Sequence, residues 1–287
     1  MSRWKGATAF VTGAASGIGL ALSKAMIERG TRVWMTDVNT AGVEKEAKAL
    51  GANARWAALD VRDAEAVRKV VERAAAENGR LDYLFNNAGI GVGGEAHELT
   101  VAHYDRIIDI NIRGVVHGVV AAYPIMVKQG RGHIVNTASV AGLVPGGLLA
   151  PYALTKHAVV GLSLSLRPEA ANFGVGVSAL CPSAVDTPIL DSNNPPDLPQ
   201  SWRPDIRRYL TRLGGEPYPV DRLAEDTLRG VEQNRALIVT PRSARIGYLL
   251  HRLFPGLVAM GARKLLNDAL REKPSREKTN AEIRNRT

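Results

Sequence analysis

The chain has 287 residues, 45% hydrophobic and 23% charged, the balance of a globular protein that can bury a sizeable core and remain one domain. No apolar run approaches the roughly 18 to 20 residues of a membrane-crossing helix, and strand-like sequence from Ala7 onward leaves no room for a signal helix, so a cytoplasmic protein is expected. The net charge of +9 points toward nucleic acid only until it is located: residues 242–287 hold eleven Lys+Arg against four Asp+Glu, leaving twenty-six against twenty-four elsewhere. With no zinc-finger spacing and no aromatic-basic platform, nucleic-acid binding is not expected.

In chain order, a first strand over 7–12 runs into "TGAASGIG", residues 12–19, and then a helix over 17–29. Glycines let a backbone turn tightly and approach a pyrophosphate, and a helix N-terminus offers it unpaired N–H groups. Gly13, Gly17 and Gly19, with the amides of Ser16 and Ile18, are therefore candidate phosphate contacts. A second strand over 32–37 closes on Asp37, 24 residues after Gly13, where a carboxylate accepts both hydroxyls of an adenosine ribose. The alternative is an aspartate that ends the strand and caps the next helix, over 40–50. Thr36 and Val38 supply no cation for a 2'-phosphate, which favours NAD(H) over NADP(H).

Strands follow over 54–60, 81–87, 133–139, 175–181 and 236–240, separated by helical periodicity over 63–78, 100–128, 152–172 and 219–233. Sustained strand–helix alternation implies parallel strands, right-handed crossovers and helices on both faces, a doubly wound α/β sheet. Tyr152 and Lys156, four residues apart, share one face of the 152–172 helix. The one cysteine, Cys181, follows an apolar strand and reads as a packed thiol. Residues 186–219 are too rich in Pro, Asn and Gly for one regular element and read as a substrate loop. A single domain over 1–244 is thus followed by a basic amphipathic extension over 245–287, with apolar residues at helical spacing interrupted at Pro255 and Gly256.

Taken together, TGxxxGxG at residues 12–19, Asp60–Val61, "NNAG" at residues 86–89, Asn111, Ser139 and "YALTK" at residues 152–156 resemble the classical short-chain dehydrogenases/reductases over about residues 4 to 240. The resemblance implies a Rossmann-like sheet of about seven parallel strands in the order 3-2-1-4-5-6-7. It also implies a homodimer or homotetramer built on the long helices after strands four and five. By position it makes Asp60 and Val61 adenine contacts and places Asn87, Ala88 and Gly89 beside the adenosine ribose. Asn111 becomes the asparagine that holds a water against the lysine, and in the loop from Pro182 to Thr187, Val185 and Thr187 become carboxamide contacts. The catalytic set it implies is Asn111, Ser139, Tyr152 and Lys156, the last two also touching the cofactor. Two departures stand out: Ser183 replaces a usual glycine, narrowing the space over the nicotinamide, and Pro168 predicts a kink or break in its helix.

Hydride exchange between a carbinol carbon and nicotinamide leaves an oxygen that must lose or gain a proton. Bringing a phenol from pKa about 10 to neutrality takes roughly 4 kcal/mol, which a lysine cation about 4 Å away supplies at an effective dielectric near 20. Ser139 would hold the oxygen and Asn111 would link Lys156 to solvent. No metal is called for, and the six histidines (His97, His103, His117, His133, His157, His251) form no ligand cluster by spacing. The segments 89–95, 139–151 and 186–219 suggest apolar pocket walls and a neutral lipophilic alcohol or ketone, alicyclic, aromatic or steroidal. The extension is expected to cover the pocket or a subunit interface, with a peripheral contact to an anionic membrane as the alternative. Rival readings are a non-catalytic NAD-binding regulator or scaffold and an NADP(H)-dependent carbonyl reductase.

Overall fold

A computed structural model of the chain describes residues 3–192, 195–198, 202, 204–271 and 273. Seven parallel strands form one sheet in the order β3-β2-β1-β4-β5-β6-β7, as the alternation and the resemblance implied. They are β1 (Thr8–Thr12), β2 (Arg32–Asp37), β3 (Ala54–Ala58), β4 (Tyr83–Asn86), β5 (Gly132–Thr137), β6 (Val175–Pro182) and β7 (Leu237–Thr240). The order reverses between β1 and β4, so the crevice beyond their C-terminal ends is the switch point where such sheets take ligands.

Alternate residues of each strand enter opposite core layers. Ala9, Val11, Val33, Met35 and Phe85 pack under α1 (Gly17–Glu28), α2 (Thr40–Leu50) and α8 (Val220–Glu232). Phe10, Trp34, Leu84 and Ile134 pack under α3 (Ala64–Asn78), α5 (Gly114–Gln129) and α6 (Ala150–Ala171). Both faces of the sheet are covered, which is why strands such as β1 are buried at every position rather than at alternate ones.

Three elements depart from the sequence reading. The 100–128 segment is α4 (Val101–Ile108) and α5 joined without a break by a π turn at Asp109–Arg113. This Val101–Gln129 stretch is long and apolar enough by length and composition to cross a membrane, which counting uninterrupted apolar runs overlooked; here it packs on α3 and the sheet. Pro168 does not break α6, which continues to Ala171, because a proline so near the C-terminus removes one late hydrogen bond. Arg167 also fastens that end, donating to the carbonyls of Val177 and Asn234 at 2.6 Å each. Within the 186–219 loop a helix forms, α7 (Ile206–Gly214), N-capped by Asp205. Beyond β7 lie α9 (Arg242–Leu253) and α10 (Pro255–Arg271), split at Phe254 with Pro255 opening the second helix, where proline is tolerated.

Candidate active site

The turn from β1 into α1 is built around glycines that nothing larger can replace. Gly13 and Gly17 sit at φ +67° and +52°, and a Cβ on Gly19 would lie 2.1 Å from the Gly13 carbonyl oxygen. Ser16 occupies the N-cap of α1 yet makes no side-chain cap, and no acidic residue lies in the first turn. The chain's own side chains thus leave the positive end of α1 to an anion. Asp37 does not cap α2, since Asn39 holds that role by accepting from the Gly42 N–H. Its carboxylate instead reaches back across the turn, Oδ2 accepting from the Ala15 N–H at 3.0 Å and Oδ1 from the Asn39 N–H at 2.9 Å. The glycine cradle, the open helix end and the carboxylate at the tip of β2 fit a dinucleotide.

The turn after β4 locks onto the first. Thr12 Oγ1 accepts from the N–H groups of Asn87 and Ala88, and Asn87 Nδ2 donates to the Thr12 and Gly13 carbonyls. Asn87 is thereby committed to holding two turns together, with its Oδ1 accepting from Thr137. Asp60 is also engaged, both oxygens taken by Arg62, whose guanidinium holds the carboxyl below its usual range. Val61 is buried against Gly114. On the opposite side, the loop after β6 brings Thr187 against Gly17, while Val185 is buried and accepts from Thr187 Oγ1. Ser183 lies in this loop outside the left-handed region, so no backbone strain accompanies the missing glycine.

Asn111 lies at the centre of the π turn and is fully buried. Its side chain makes three hydrogen bonds: Oδ1 accepts from the Ile90 N–H, and Nδ2 donates to the Ile90 carbonyl and to Thr155 Oγ1. Thr155 in turn donates to the Tyr152 carbonyl, so Asn111 braces the first turn of α6. Gly89 fills the gap between Asn111 and the lysine; a Cβ there would lie 3.2 Å from Asn111 Oδ1 and 3.7 Å from Lys156 Nζ.

Ser139, Tyr152 and Lys156 converge at the ends of β5 and α6. Ser139 caps the short turn after β5 by accepting from the Ala141 N–H, and its hydroxyl donates to the Pro182 carbonyl at 3.4 Å while lying near enough to the Tyr152 phenol to favour its ionised form. Lys156, 4% exposed, stands 5.4 Å from the Tyr152 ring centre and donates to the Thr137 carbonyl at 2.8 Å. The electrostatics correct the expectation of a phenol lowered by its neighbour. Desolvation holds the partly exposed Tyr152 above the usual phenol range, with the neighbouring Ser139 hydroxyl pulling the other way, and burial brings Lys156 down to about 8. Desolvation, which penalises each charged form, is the largest cause of both shifts. Nearby Cys181 is a packed thiol as expected, burial pushing it up to about 12.

The three predicted wall segments meet at Gly93, whose Cβ position lies 3.1 Å from the Leu148 carbonyl, 3.2 Å from Leu149 and 3.3 Å from Ile206 of α7. Leu148 reaches this wall in a left-handed conformation (φ +59°) that leucine rarely adopts. The C-terminal extension closes over the rim: Leu266 of α10 and Tyr209 of α7 abut Gly147. Lys273 binds the carboxylates of Glu95 and Glu98 and sits 5.4 Å over the Trp202 ring. His97 joins those two glutamates in a group with ligand atoms within 4.8 Å, which sequence spacing did not suggest, but Lys273 already holds both carboxylates. Thr12, Thr137 and Thr155, none of them singled out as site residues, carry much of this geometry. Thr12 and Thr155 lie within the quoted TGxxxGxG and YALTK motifs, and Thr137 lies two residues before Ser139.

A family model described as short chain dehydrogenase matches residues 7–197. The chain is 32% identical over 260 residues to the probable oxidoreductase EphD of Mycobacterium tuberculosis, and spans 88% of its own length but only 44% of that relative's. It is 33% identical over 215 residues to the levodione reductase of Leifsonia aquatica, covering 73% of this chain and 80% of that one. A solved short chain dehydrogenase/reductase from Burkholderia phymatum, in complex with NAD, is similar with a TM-score of 0.81 and 32% identity, over 90% of this chain and 96% of that one.

Proposed function

Because the chain belongs to the short-chain dehydrogenase/reductase family, we propose that this oxidoreductase interconverts a secondary alcohol and a ketone with NAD(H), on a neutral lipophilic substrate. The observation that carries the reading is the convergence of the Ser139 hydroxyl, the Tyr152 phenol and the buried Lys156 ammonium beside a turn that fits a dinucleotide. Gly13, Ser16, Gly17, Ile18 and Gly19 would hold the pyrophosphate, Asp37 the adenosine ribose, Asp60 and Val61 the adenine edge, and Val185 and Thr187 the carboxamide end. When bound, NAD supplies a site that accepts or releases hydride.

The chain's own residues manage the proton. In ketone reduction Tyr152, held protonated by desolvation, donates from its hydroxyl to the carbonyl oxygen while Ser139 hydrogen-bonds that oxygen. In alcohol oxidation Tyr152 Oη takes the carbinol proton, and the Lys156 cation stabilises the phenolate that precedes it. Lys156 is kept oriented by the Thr137 carbonyl, and Asn111 keeps α6 in place through Thr155. The apolar junction of Gly93, Leu148, Leu149 and Ile206 supports a lipophilic substrate. The levodione reductase at 33% identity, a reductase by name, supports the carbonyl chemistry.

Asp37 forms no ion pair among the described residues and so offers a ribose hydroxyl an acceptor and a 2'-phosphate only repulsion, which supports NAD over NADP. We place the protein in the cytoplasm as a homodimer or homotetramer, consistent with a single buried cysteine and with exposed apolar residues on α5 and α6. The test is a panel of alcohols and ketones with NAD(H) and NADP(H). Turnover with NAD(H) that falls by about 10²–10⁴-fold in Tyr152→Phe is expected. Dinucleotide binding without turnover across the panel would replace this reading with a regulator or scaffold.

A further inference from the structure

Helix α9 carries its apolar residues on the wrong side for a core helix. Ala244, Tyr248 and His251 are the residues partly covered by the body, with Tyr248 packed on the core, whereas Ile246, Leu249 and Leu253 at i, i+3 and i+7 face outward. The stripe continues around the corner into α10 through Phe254, Leu257 and Met260, with Leu253 70% and Met260 66% exposed. Contiguous apolar patches of this kind mark interaction surfaces. Arg242, Arg245, Arg252, Arg263 and Lys264 surround it, all exposed and none in an ion pair among the described residues. The opposite side of the pair is occupied, since Leu266 abuts Gly147 and Lys273 binds Glu95 and Glu98.

We propose that the outward face of α9 and α10 docks on an anionic lipid surface, apolar side chains entering the headgroup boundary and the arginines and lysine meeting lipid phosphates. The charge decides the occupant. A second copy related by a twofold axis would set the same unpaired cations opposite one another, whereas an anionic bilayer neutralises them. Seven of the nine net positive charges of the chain lie from residue 242 onward, on the segment that carries this stripe. Docking there would hold the rim at Gly147 and Glu95 one helix diameter from the phase in which a lipophilic substrate partitions; this consequence alone rests on the proposed chemistry.

Flotation of the full-length protein with vesicles tests it. Capture by phosphatidylglycerol–phosphatidylcholine vesicles is expected, with little capture by phosphatidylcholine alone, and release as salt rises from about 0.05 to about 0.5 M. A Leu249→Ser, Leu253→Ser, Phe254→Ser variant and an Arg245→Ser, Arg252→Ser, Arg263→Ser variant should each lose about tenfold or more in capture at unchanged melting temperature. The proposal is overturned if the parent fails to float with anionic vesicles, or if both variants float as well as the parent. It is equally overturned if the apolar variant does no more than reduce the sedimenting mass, which would assign the face to a second copy. Flotation is read without substrate, so vesicle capture without turnover removes only the oxidoreductase reading, and turnover without capture removes only docking.

Discussion

At the level of single residues, the pair four apart on α6 is shifted chiefly by desolvation. Lys156 titrates near 8 in the folded protein and near 10.5 unfolded, so between those values the unfolded chain binds more protons and stability rises with pH. Below about pH 8 the full cost of the buried cation is present, roughly 3 kcal/mol for a shift of about 2.5 units. Lys156→Met should therefore gain about 1–2 kcal/mol at pH 7, after the Thr137 carbonyl loses its donor, and lose turnover. Urea unfolding at pH 7 and pH 10.5 checks this, because the gain should vanish at the higher pH. Asp37 supports a second prediction. Asp37→Asn keeps an acceptor for the Ala15 N–H but removes the charge, so NAD should lose about tenfold or more in kcat/KM and the preference over NADP should narrow. Steady-state kinetics with both dinucleotides would show it, and an unchanged ratio would remove Asp37 from the ribose site.

Among elements, three strands are tied by one chain of polar contacts that no motif announced. His133 on β5 meets Ser178 on β6 at 2.8 Å, and Ser178 Oγ donates its only proton to the Arg235 carbonyl before β7. His133 must then donate from Nε2, leaving Nδ1 beside Gly176 with no protein acceptor for a second proton among the described residues. Burial accordingly lowers this imidazole to about 4. Between its unfolded value of 6.5 and about 4 the unfolded chain takes the proton and the folded one does not, so stability falls as pH drops through that window. The loss attributable to His133 should reach roughly 3 kcal/mol by pH 4, and His133→Gln should flatten that part of the profile. Denaturant midpoints from pH 7 to pH 4 provide the measurement. Element boundaries elsewhere followed from local chemistry, as at the Asp63 cap of α3, whereas the π turn around Asn111 depends on the bond to Ile90 in another loop.

For the whole molecule, the reversal of strand order between β1 and β4 gathers the glycine turn, the turn after β4 and the end of β6 at one crevice. Outside that crevice, Val116 and Val120 on α5 and Leu154 and Leu164 on α6 remain exposed, Val120 at 67%. These faces are the proposed subunit contacts, distinct from the outward stripe on α9 and α10. Sedimentation should show a dimer or tetramer, and Val120→Asp with Leu164→Asp should reduce it to smaller species while the docking variants leave it intact. A monomeric parent would remove the oligomer from this account.

Sequence by itself determined the alternation of strands and helices, the glycine turn, the acidic tip of β2 and the pairing of Tyr152 with Lys156. Each of these follows from spacing along a helix or strand and from residue chemistry that neighbours in sequence suffice to reveal. It also located the excess charge. Only the tertiary structure decided that desolvation raises Tyr152 and lowers Lys156, that Asn87 and Asn111 spend their side chains bracing other loops, and that Asp60 is held by Arg62. It decided too which side of the C-terminal helices looks outward. The physical reason is common to all of these: ionisation, hydrogen-bond partners and exposure depend on which distant segments remove water from a side chain, and periodicity within one element carries no record of them.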